Sequence, residues 1–243
     1  MHNTVSRDST STIQQRIAGV LRRMEQACQR VGRDASEVEL VAVTKTYPIE
    51  VVREAFDAGI RHFGENRVQE LKLKSQALPG VQHGGEVFWH MIGHVQRNKA
   101  KDVLECADFV HALDSQRLAE VMDRRAGDKG RVLPCLVQVN VSNEYSKFGL
   151  EPADVPEFLV LLKQYANLEV RGFMTLAAPA ADPEDVRPQF KLLRSIMHDA
   201  QQAHPQMKTV DVLSMGMSGD FEVAIEEGAT HVRVGSALFG ARS

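Results

Sequence analysis

The feature that most constrains the fold is an alternation of short apolar runs with helix-like stretches, repeated along nearly the whole chain. Runs such as 40–43 and 133–141 carry β-branched and other apolar residues in succession, which is typical of strands buried on both faces. Several intervening stretches have apolar residues three or four apart and begin at a proline or end at a glycine, as helices do. Strand and helix therefore alternate as a repeated unit.

Eight such units follow one extra helix predicted over 13–31. Alternation with short connections implies parallel strands and right-handed crossovers, and eight units in 243 residues fit a single (β/α)8 TIM barrel with an extra N-terminal helix. An open doubly wound sheet is the alternative, but the chain lacks a glycine fingerprint after its first strand. The predicted strands are 40–45, 60–63, 87–93, 109–113, 133–141, 170–176, 210–213 and 231–234, and the helices between them are 48–58, 67–78, 97–106, 115–126, 152–166, 183–203 and 221–227.

Composition narrows the class of protein. A formal net charge of -3 gives no basic surface for nucleic acid, and no apolar stretch reaches the roughly 18 residues of a membrane span. Residues 1–12 are polar and lack an apolar signal core, so we expect a flexible tail there and a barrel domain over 13–243. The three cysteines are widely spaced, which favours reduced thiols in a cytoplasmic protein.

Lys45 is the first candidate functional residue because it stands where the first buried strand ends, just before Pro48. An exposed loop lysine is the ordinary interpretation, since lysines are almost never fully buried. A partly desolvated amine at the mouth of an apolar strand would instead have a lowered pKa, and a free amine can form a Schiff base with an aldehyde. The residues around Lys45 leave both interpretations open.

The carboxyl ends of the other strands supply further candidates, because active sites of such barrels collect at that end. The loops after strands 7 and 8 are rich in glycine and serine, and phosphate sites are often built there from exposed backbone N–H groups. Alternatively, Ser218 caps the helix near Phe221 and Gly235 serves only a tight turn. The candidates at this end of the barrel are Lys45, Asn66, Ser214, Met217, Ser218, Arg233, Gly235 and Ser236.

Arg233 calls for a partner because a charged guanidinium inside a barrel mouth is costly when it is unpaired. A carboxylate, either Glu65 or Asp211, is one possibility. The other is the ring nitrogen of pyridoxal phosphate (PLP), if Lys45 and the two glycine-rich loops hold that cofactor.

Six motifs in fixed order make the chain resemble the pyridoxal phosphate homeostasis protein family over nearly its whole length. The resemblance implies a barrel like the alanine racemase N-terminal domain, with Lys45 as the Schiff-base lysine. It also implies Asn66 beside the cofactor ring, Arg233 at the pyridine nitrogen, and phosphate contacts from Ser218, Gly235 and Ser236; Ser214 and Met217 belong to the same predicted site. The motifs are VAVTK at 41–45, FGENRVQE at 63–70, WHMIGHVQRNK at 89–99, SKFG at 146–149, LSMGMSGD at 213–220 and VRVGSALFGAR at 232–242.

The sequence departs from many relatives at two positions, with His94 in place of proline and Ser236 in place of threonine. A serine hydroxyl still donates to phosphate, so the assignment of Ser236 stands. His90 and His94 have a metal-like spacing, but Gly93 separates them at a strand end, so we expect no metal site. Lys147 is expected to be a surface lysine rather than a second reactive amine.

The resemblance implies a role in PLP homeostasis with little or no turnover, no catalytic residue and, beyond PLP itself, partners among PLP-dependent apoenzymes. A barrel-only racemase is the alternative, but a racemase needs a second base, and the family of racemases takes it from a tyrosine on an extra domain. Here the tyrosines are Tyr47, Tyr145 and Tyr165. A sugar-phosphate barrel with an aldolase-type lysine is a third possibility. Without the racemases' dimerising domain, we expect a monomer.

Overall fold

The structure is a computed structural model that describes residues 12–142, 148–204, 207 and 210–240. Eight parallel strands close into a barrel in the order of the sequence, with helices between them, as the sequence predicts. The strands are β1 Glu39–Val43, β2 His62–Glu65, β3 Phe88–Met91, β4 Phe109–Leu113, β5 Leu133–Gln138, β6 Leu168–Met174, β7 Val212–Ser214 and β8 His231–Val234.

The helices are α1 Ile13–Arg30, α2 Ile49–Asp57, α3 Val68–Ala77, α4 Ala100–Cys106, α5 Gln116–Gly127, α6 Val155–Leu162, α7 Arg187–Ala203, α8 Phe221–Glu226 and α9 Ser236–Phe239. Short 3-10 turns at Arg97–Lys99, Pro152–Asp154 and Pro183–Val186 lead into α4, α6 and α7, so these helices begin later than the sequence predicts. None of the helices in the described ranges has the length and apolar character needed to cross a bilayer.

The extra N-terminal helix α1 is confirmed, and its start is fixed by a capping box. The Thr12 side chain accepts a hydrogen bond from the backbone of Gln15, whose own side chain accepts one from the backbone of Thr12. The helix is held against α8 by Arg23, whose guanidinium contacts both carboxylate oxygens of Glu222 at 2.7 and 2.8 Å. Apart from Thr12, the predicted tail lies outside the described residues, as do Lys147 and the ends of two motifs, so the division into tail and domain stays a prediction.

Two strand boundaries differ from the predicted ones for reasons of pairing. Strand β2 extends beyond its apolar run through Gly64 and the polar Glu65, because these two residues pair with His90 and Met91 of β3. The sequence predicts that strand β5 runs to residue 141, but it ends at Gln138, and the next two residues pair with Leu150 of the returning loop. Apolar character alone therefore misjudges strand ends that a ladder or a returning loop decides.

The core lies mainly between the strands and the surrounding helices. Trp89 and Phe63 are fully buried there with ring centroids 5.4 Å apart, and the indole N–H donates to the carbonyl of Leu78. The cysteines are buried free thiols, as predicted, and burial raises the pKa of Cys106 and Cys135 to about 12. These thiols are packing residues that stay protonated at neutral pH.

Candidate functional site

A cavity of about 570 Å³ opens among the loops at the carboxyl ends of the strands. Ser214 alone among the predicted site residues is missing from its wall: it is fully buried beneath Arg233. The sequence thus identifies most of one wall, which a (β/α)8 barrel is expected to present at this end. The predicted residues that line the cavity are Lys45, Asn66, Met217, Ser218, Arg233, Gly235 and Ser236.

Lys45 reaches the cavity from a tight turn that follows β1. The backbone N–H of Tyr47 donates to the carbonyl of Thr44 across the turn at 3.0 Å. Thr46 has φ of 69°, a left-handed conformation that costs a β-branched residue about 1–2 kcal/mol. The N–H of Thr46 donates to Glu70 Oε2 at 2.6 Å, which compensates part of that strain. This strained turn places the half-buried Lys45 at the mouth of the barrel.

A buried ion pair supports the turn from below. Lys74 of α3 lies with its Nζ 2.5 Å from Glu65 Oε1 and donates to the carbonyl of Thr44 at 2.7 Å. The hydroxyl of Thr44 donates to the same Glu65 oxygen at 2.6 Å. Burial raises the pKa of Glu65 more than its bonds to Lys74 and Thr44 lower it. Helix α3 and strand β2 therefore both hold Thr44, the residue that precedes Lys45.

Arg233 forms no salt bridge with a carboxylate within the described ranges, so the ion pair with Glu65 or Asp211, one of its two possible partnerships, is not formed. The charge of Asp220 acts on the guanidinium without a salt bridge. Glu65 points away from the barrel interior toward α3, and Asp211 is exposed at the opposite end of β7. The guanidinium donates instead to Ser214 Oγ at 2.6 Å and to the carbonyl of Thr175 at 2.7 Å. Burial lowers the pKa of Arg233 to about 10, so it remains charged at neutral pH.

The loops after β7 and β8 are joined through one hydroxyl. Ser218 Oγ accepts hydrogen bonds from the N–H groups of Gly235 at 3.1 Å and Ala237 at 3.4 Å. The alternative role of Ser218 as a helix cap is wrong, because Asp220 occupies the cap position of α8. Gly216 holds the first loop close to α8, where a Cβ atom would lie 2.6 Å from that of Ala224. The hydroxyl of the first loop and backbone N–H groups of the second thus meet at one corner of the cavity.

Asn66 is positioned by the neighbouring strand-end glycine. A Cβ atom on Gly93 would lie 2.2 Å from the carbonyl oxygen of Asn66, so only glycine lets the two loops approach. The close approach places Asn66 and Gly93 side by side in the cavity wall.

The far wall contains residues that the sequence analysis did not assign to the site. His94 stacks on Phe148 with ring centroids 3.8 Å apart, and its Nδ1 lies 3.1 Å from Asp114 Oδ2. The sequence suggests His94 and His90 as a metal-like pair, but His90 is buried in the barrel. The described ranges contain no group of three or more His, Cys, Asp or Glu residues that could hold a metal ion. The place of His94 one residue after Gly93, at a strand end, was the available signal.

Comparison with known proteins matches residues 20–243 to the family described as alanine racemase, N-terminal domain. The pyridoxal phosphate homeostasis protein of Aquifex aeolicus (strain VF5) is 41% identical over 228 residues, covering 94% of this chain and 97% of the relative. That of Pseudomonas aeruginosa is 41% identical over 232 residues, covering 96% of each chain. The structure of PipY from Synechococcus elongatus PCC7942 with PLP bound superposes with a TM-score of 0.81 at 37% identity, covering 94% of this chain and 100% of PipY.

Proposed function

Because the chain belongs to the pyridoxal phosphate homeostasis protein family, we propose that it binds PLP as a Schiff base on Lys45 with little or no amino-acid turnover. The observation that carries this proposal is the convergence of three kinds of group on one cavity: the amine of Lys45, the guanidinium of Arg233 and the hydroxyl and N–H groups of the loops after β7 and β8.

These residues fit the chemical parts of PLP. A primary amine is the partner that an aldehyde requires, and hydroxyl and backbone N–H groups are the partners of a phosphate. We assign the phosphate to Ser218, Gly235 and Ser236, and the ring to the wall that contains Asn66. Gly235 leaves room at this corner, since a Cβ atom there would come within 3.3 Å of the Val43 carbonyl oxygen.

Arg233 argues against PLP chemistry that needs a strong electron sink. When bound, PLP supplies an electron sink that is strongest with its ring nitrogen protonated. A guanidinium at that nitrogen disfavours ring protonation by repulsion between like charges. The pKa of Arg233, about 10, keeps the guanidinium charged at neutral pH. The residue that we assign to the ring nitrogen therefore weakens the sink. Racemisation tolerates a weak sink, so that activity is limited instead by the need for a second base.

The tyrosines give no second base within the described ranges. The hydroxyl of Tyr47 donates to the carbonyl of Gly240 at 2.9 Å. Tyr165 lines a different cavity together with Arg171, and Tyr145 lies outside the described residues. Besides Lys45, His94 is the residue of the described cavity wall whose side chain could serve as a base, so a racemase activity of this chain would depend on it.

The test is an absorption titration with PLP, compared with Lys45→Ala and with Lys101→Ala, which removes an exposed lysine of α4. The wild type and the Lys101 variant should develop the visible band of the imine, and the Lys45 variant should not. A colourless wild-type protein would refute the proposal and favour a sugar-phosphate barrel. Racemisation of amino acids at a rate typical of racemases, abolished by His94→Ala, would show that the protein is a racemase rather than a PLP-binding protein without turnover.

The proposed cellular role is to keep the reactive aldehyde low while supplying PLP to apoenzymes in the cytoplasm, with the chain acting as a monomer. The names of the relatives support the homeostatic role. Transfer can be measured by mixing the loaded protein with a PLP-dependent apoenzyme and following recovery of its activity. Recovery no faster than with an equal concentration of free PLP would contradict direct delivery.

A further inference from the structure

The barrel interior contains a cluster of histidines beneath the cavity. His62, His90, His111 and His231 belong to β2, β3, β4 and β8, and residues from opposite sides of a barrel meet only inside it. The ring centroids of His90 and His111 lie 5.0 Å apart, and that of His231 lies 6.1 Å from each. None of these rings reaches the wall of the cavity that contains Lys45.

Three of the rings form a continuous chain of hydrogen bonds that ends at Arg233. Nδ1 of His62 lies 3.0 Å from Nε2 of His90, and Nδ1 of His90 lies 2.9 Å from Nε2 of His111. Nδ1 of His111 lies 3.0 Å from Ser214 Oγ, which accepts from Arg233 at 2.6 Å. At the other end, Nε2 of His62 lies 3.4 Å from a carboxylate oxygen of Glu39, the first residue of β1.

The two ends of this chain fix the direction of every proton in it. Arg233 only donates, so the single hydroxyl proton of Ser214 has His111 Nδ1 as its acceptor within the described ranges. A neutral His111 then carries its proton on Nε2 and donates to His90. By the same argument His90 donates from Nε2 to His62.

The chain of hydrogen bonds ends at the protein surface, beside Glu39. His62 carries its proton on Nε2, facing the acceptor-only carboxylate of Glu39, whose side chain is 47% exposed. The rings stay neutral inside the barrel, since burial lowers the pKa of both His90 and His111 well below the usual histidine value. Arg233, which can only donate, and the Glu39 carboxylate, which can only accept, thus lie at opposite ends of the chain of hydrogen bonds. With the rings neutral, only one arrangement of protons along this chain, here called the proton order, satisfies both ends.

We propose that His62, His90 and His111 are positioning residues for Arg233: their fixed tautomers hold the Ser214 hydroxyl with its proton turned away from the guanidinium. The guanidinium of Arg233 then donates to a lone pair of Ser214 Oγ and to the carbonyl of Thr175, while its remaining N–H groups face the cavity that it lines. The chain of bonds connects the buried cation to the carboxylate of Glu39, in addition to the charge of Asp220, which acts on Arg233 without forming a salt bridge. The role in holding PLP rests on the proposed function; the proton order does not.

The proton order is tested on the protein without cofactor by 15N NMR of the histidine rings, assigned through single histidine variants. The proposal expects the Nε2–H tautomer for His62, His90 and His111 at neutral pH. Protonation of His111 at Nδ1 would overturn it, because Ser214 would then lose the acceptor for its proton. This outcome does not depend on whether PLP binds.

The positioning role is tested with His111→Phe, which keeps a ring but removes both hydrogen bonds. The matched control is His231→Phe, because His231 contacts Thr230 and lies outside the chain of bonds. Loss of one hydrogen bond beneath Arg233 should weaken PLP binding about fivefold and shift the pH profile of the visible band in the first variant only. Equal effects of the two variants would mean that the histidines act only through packing, which would contradict the proposal. Ser214→Ala removes the hydroxyl that links His111 to Arg233, so it must have the same effect as His111→Phe.

A wild-type protein that takes up no PLP would refute the proposed function while the NMR result still decides the proton order. If PLP binds but the histidine tautomers differ from those expected, the proposed proton order is refuted and the proposed function stands.

Discussion

Replacing Lys74 by methionine isolates the buried support beneath the Lys45 turn. Lys74 and Glu65 have side chains exposed by only 7% and 0%, and the ammonium also bonds the carbonyl of Thr44. Methionine has a similar length and helix propensity, so α3 itself should be preserved. What the substitution removes is the cation that forms the buried ion pair with Glu65.

The expected cost follows from this burial. Removing one partner of a buried ion pair leaves an uncompensated charge and typically costs about 3–5 kcal/mol. For a chain of this size, about 1 kcal/mol corresponds to a Tm shift of 2–4 °C, so Tm should fall by roughly 6–20 °C. The Thr44 carbonyl also loses a donor, so the turn that carries Lys45 should loosen and PLP binding should weaken.

The loss should depend on pH with a definite sign. The folded-state pKa of Glu65 is raised by burial, and removing Lys74 raises it further. A carboxyl with a raised pKa binds its proton more readily in the folded state, so its contribution to stability is present at low pH and is lost as the pH rises through the folded pKa. The penalty of Lys74→Met should therefore be largest at neutral pH and shrink as the pH falls toward the ordinary pKa of glutamate.

The assay is urea unfolding of the cofactor-free protein from about pH 4.5, near the ordinary pKa of glutamate, to about pH 7.5. The control is Lys72→Met on the same helix, where the ion pair with Asp102 at 2.9 Å is exposed and should contribute little. Adding Glu65→Gln to Lys74→Met should restore much of the loss. Equal, small losses in the two single variants would refute the reasoning.

Three further predictions concern packing and protonation. Gly93→Ala should weaken PLP binding by displacing Asn66, because the added Cβ would lie 2.2 Å from its carbonyl oxygen; a titration of the visible band measures this, and unchanged binding would contradict it. Gly19→Ala in α1 meets nothing within 4 Å and should stabilise the fold by about 0.5–1 kcal/mol in urea unfolding. His90 and His111 are buried with lowered pKa values, so the free energy of unfolding should decrease as the pH falls below about 6.5, less so in His111→Phe.

The sequence predicts the barrel and most of one cavity wall because both depend on local regularities. Buried parallel strands read as apolar runs, and the end of each run marks the mouth of the barrel, which is how Lys45 and Arg233 are found. Whole-chain pairing decides what the runs leave open: β2 includes the polar Glu65 because β3 supplies its ladder partners.

The partners of charged groups were beyond reach from sequence. Assigning Glu65 to Arg233 required knowing which face of β2 each residue occupies, and the ladder turns Glu65 outward to Lys74. The histidine chain joins residues from β2, β3 and β4 with 21 and 28 positions between successive members, so no local pattern signals it.

The measurement that tests the central claim most directly is borohydride reduction of the PLP-loaded protein followed by peptide mapping. Reduction converts a Schiff base into a stable amine, so the cofactor becomes permanently attached to the lysine that held it. The account predicts the adduct on Lys45. An adduct confined to another lysine, Lys147 among them, or no adduct from a protein that shows the visible band, would contradict it.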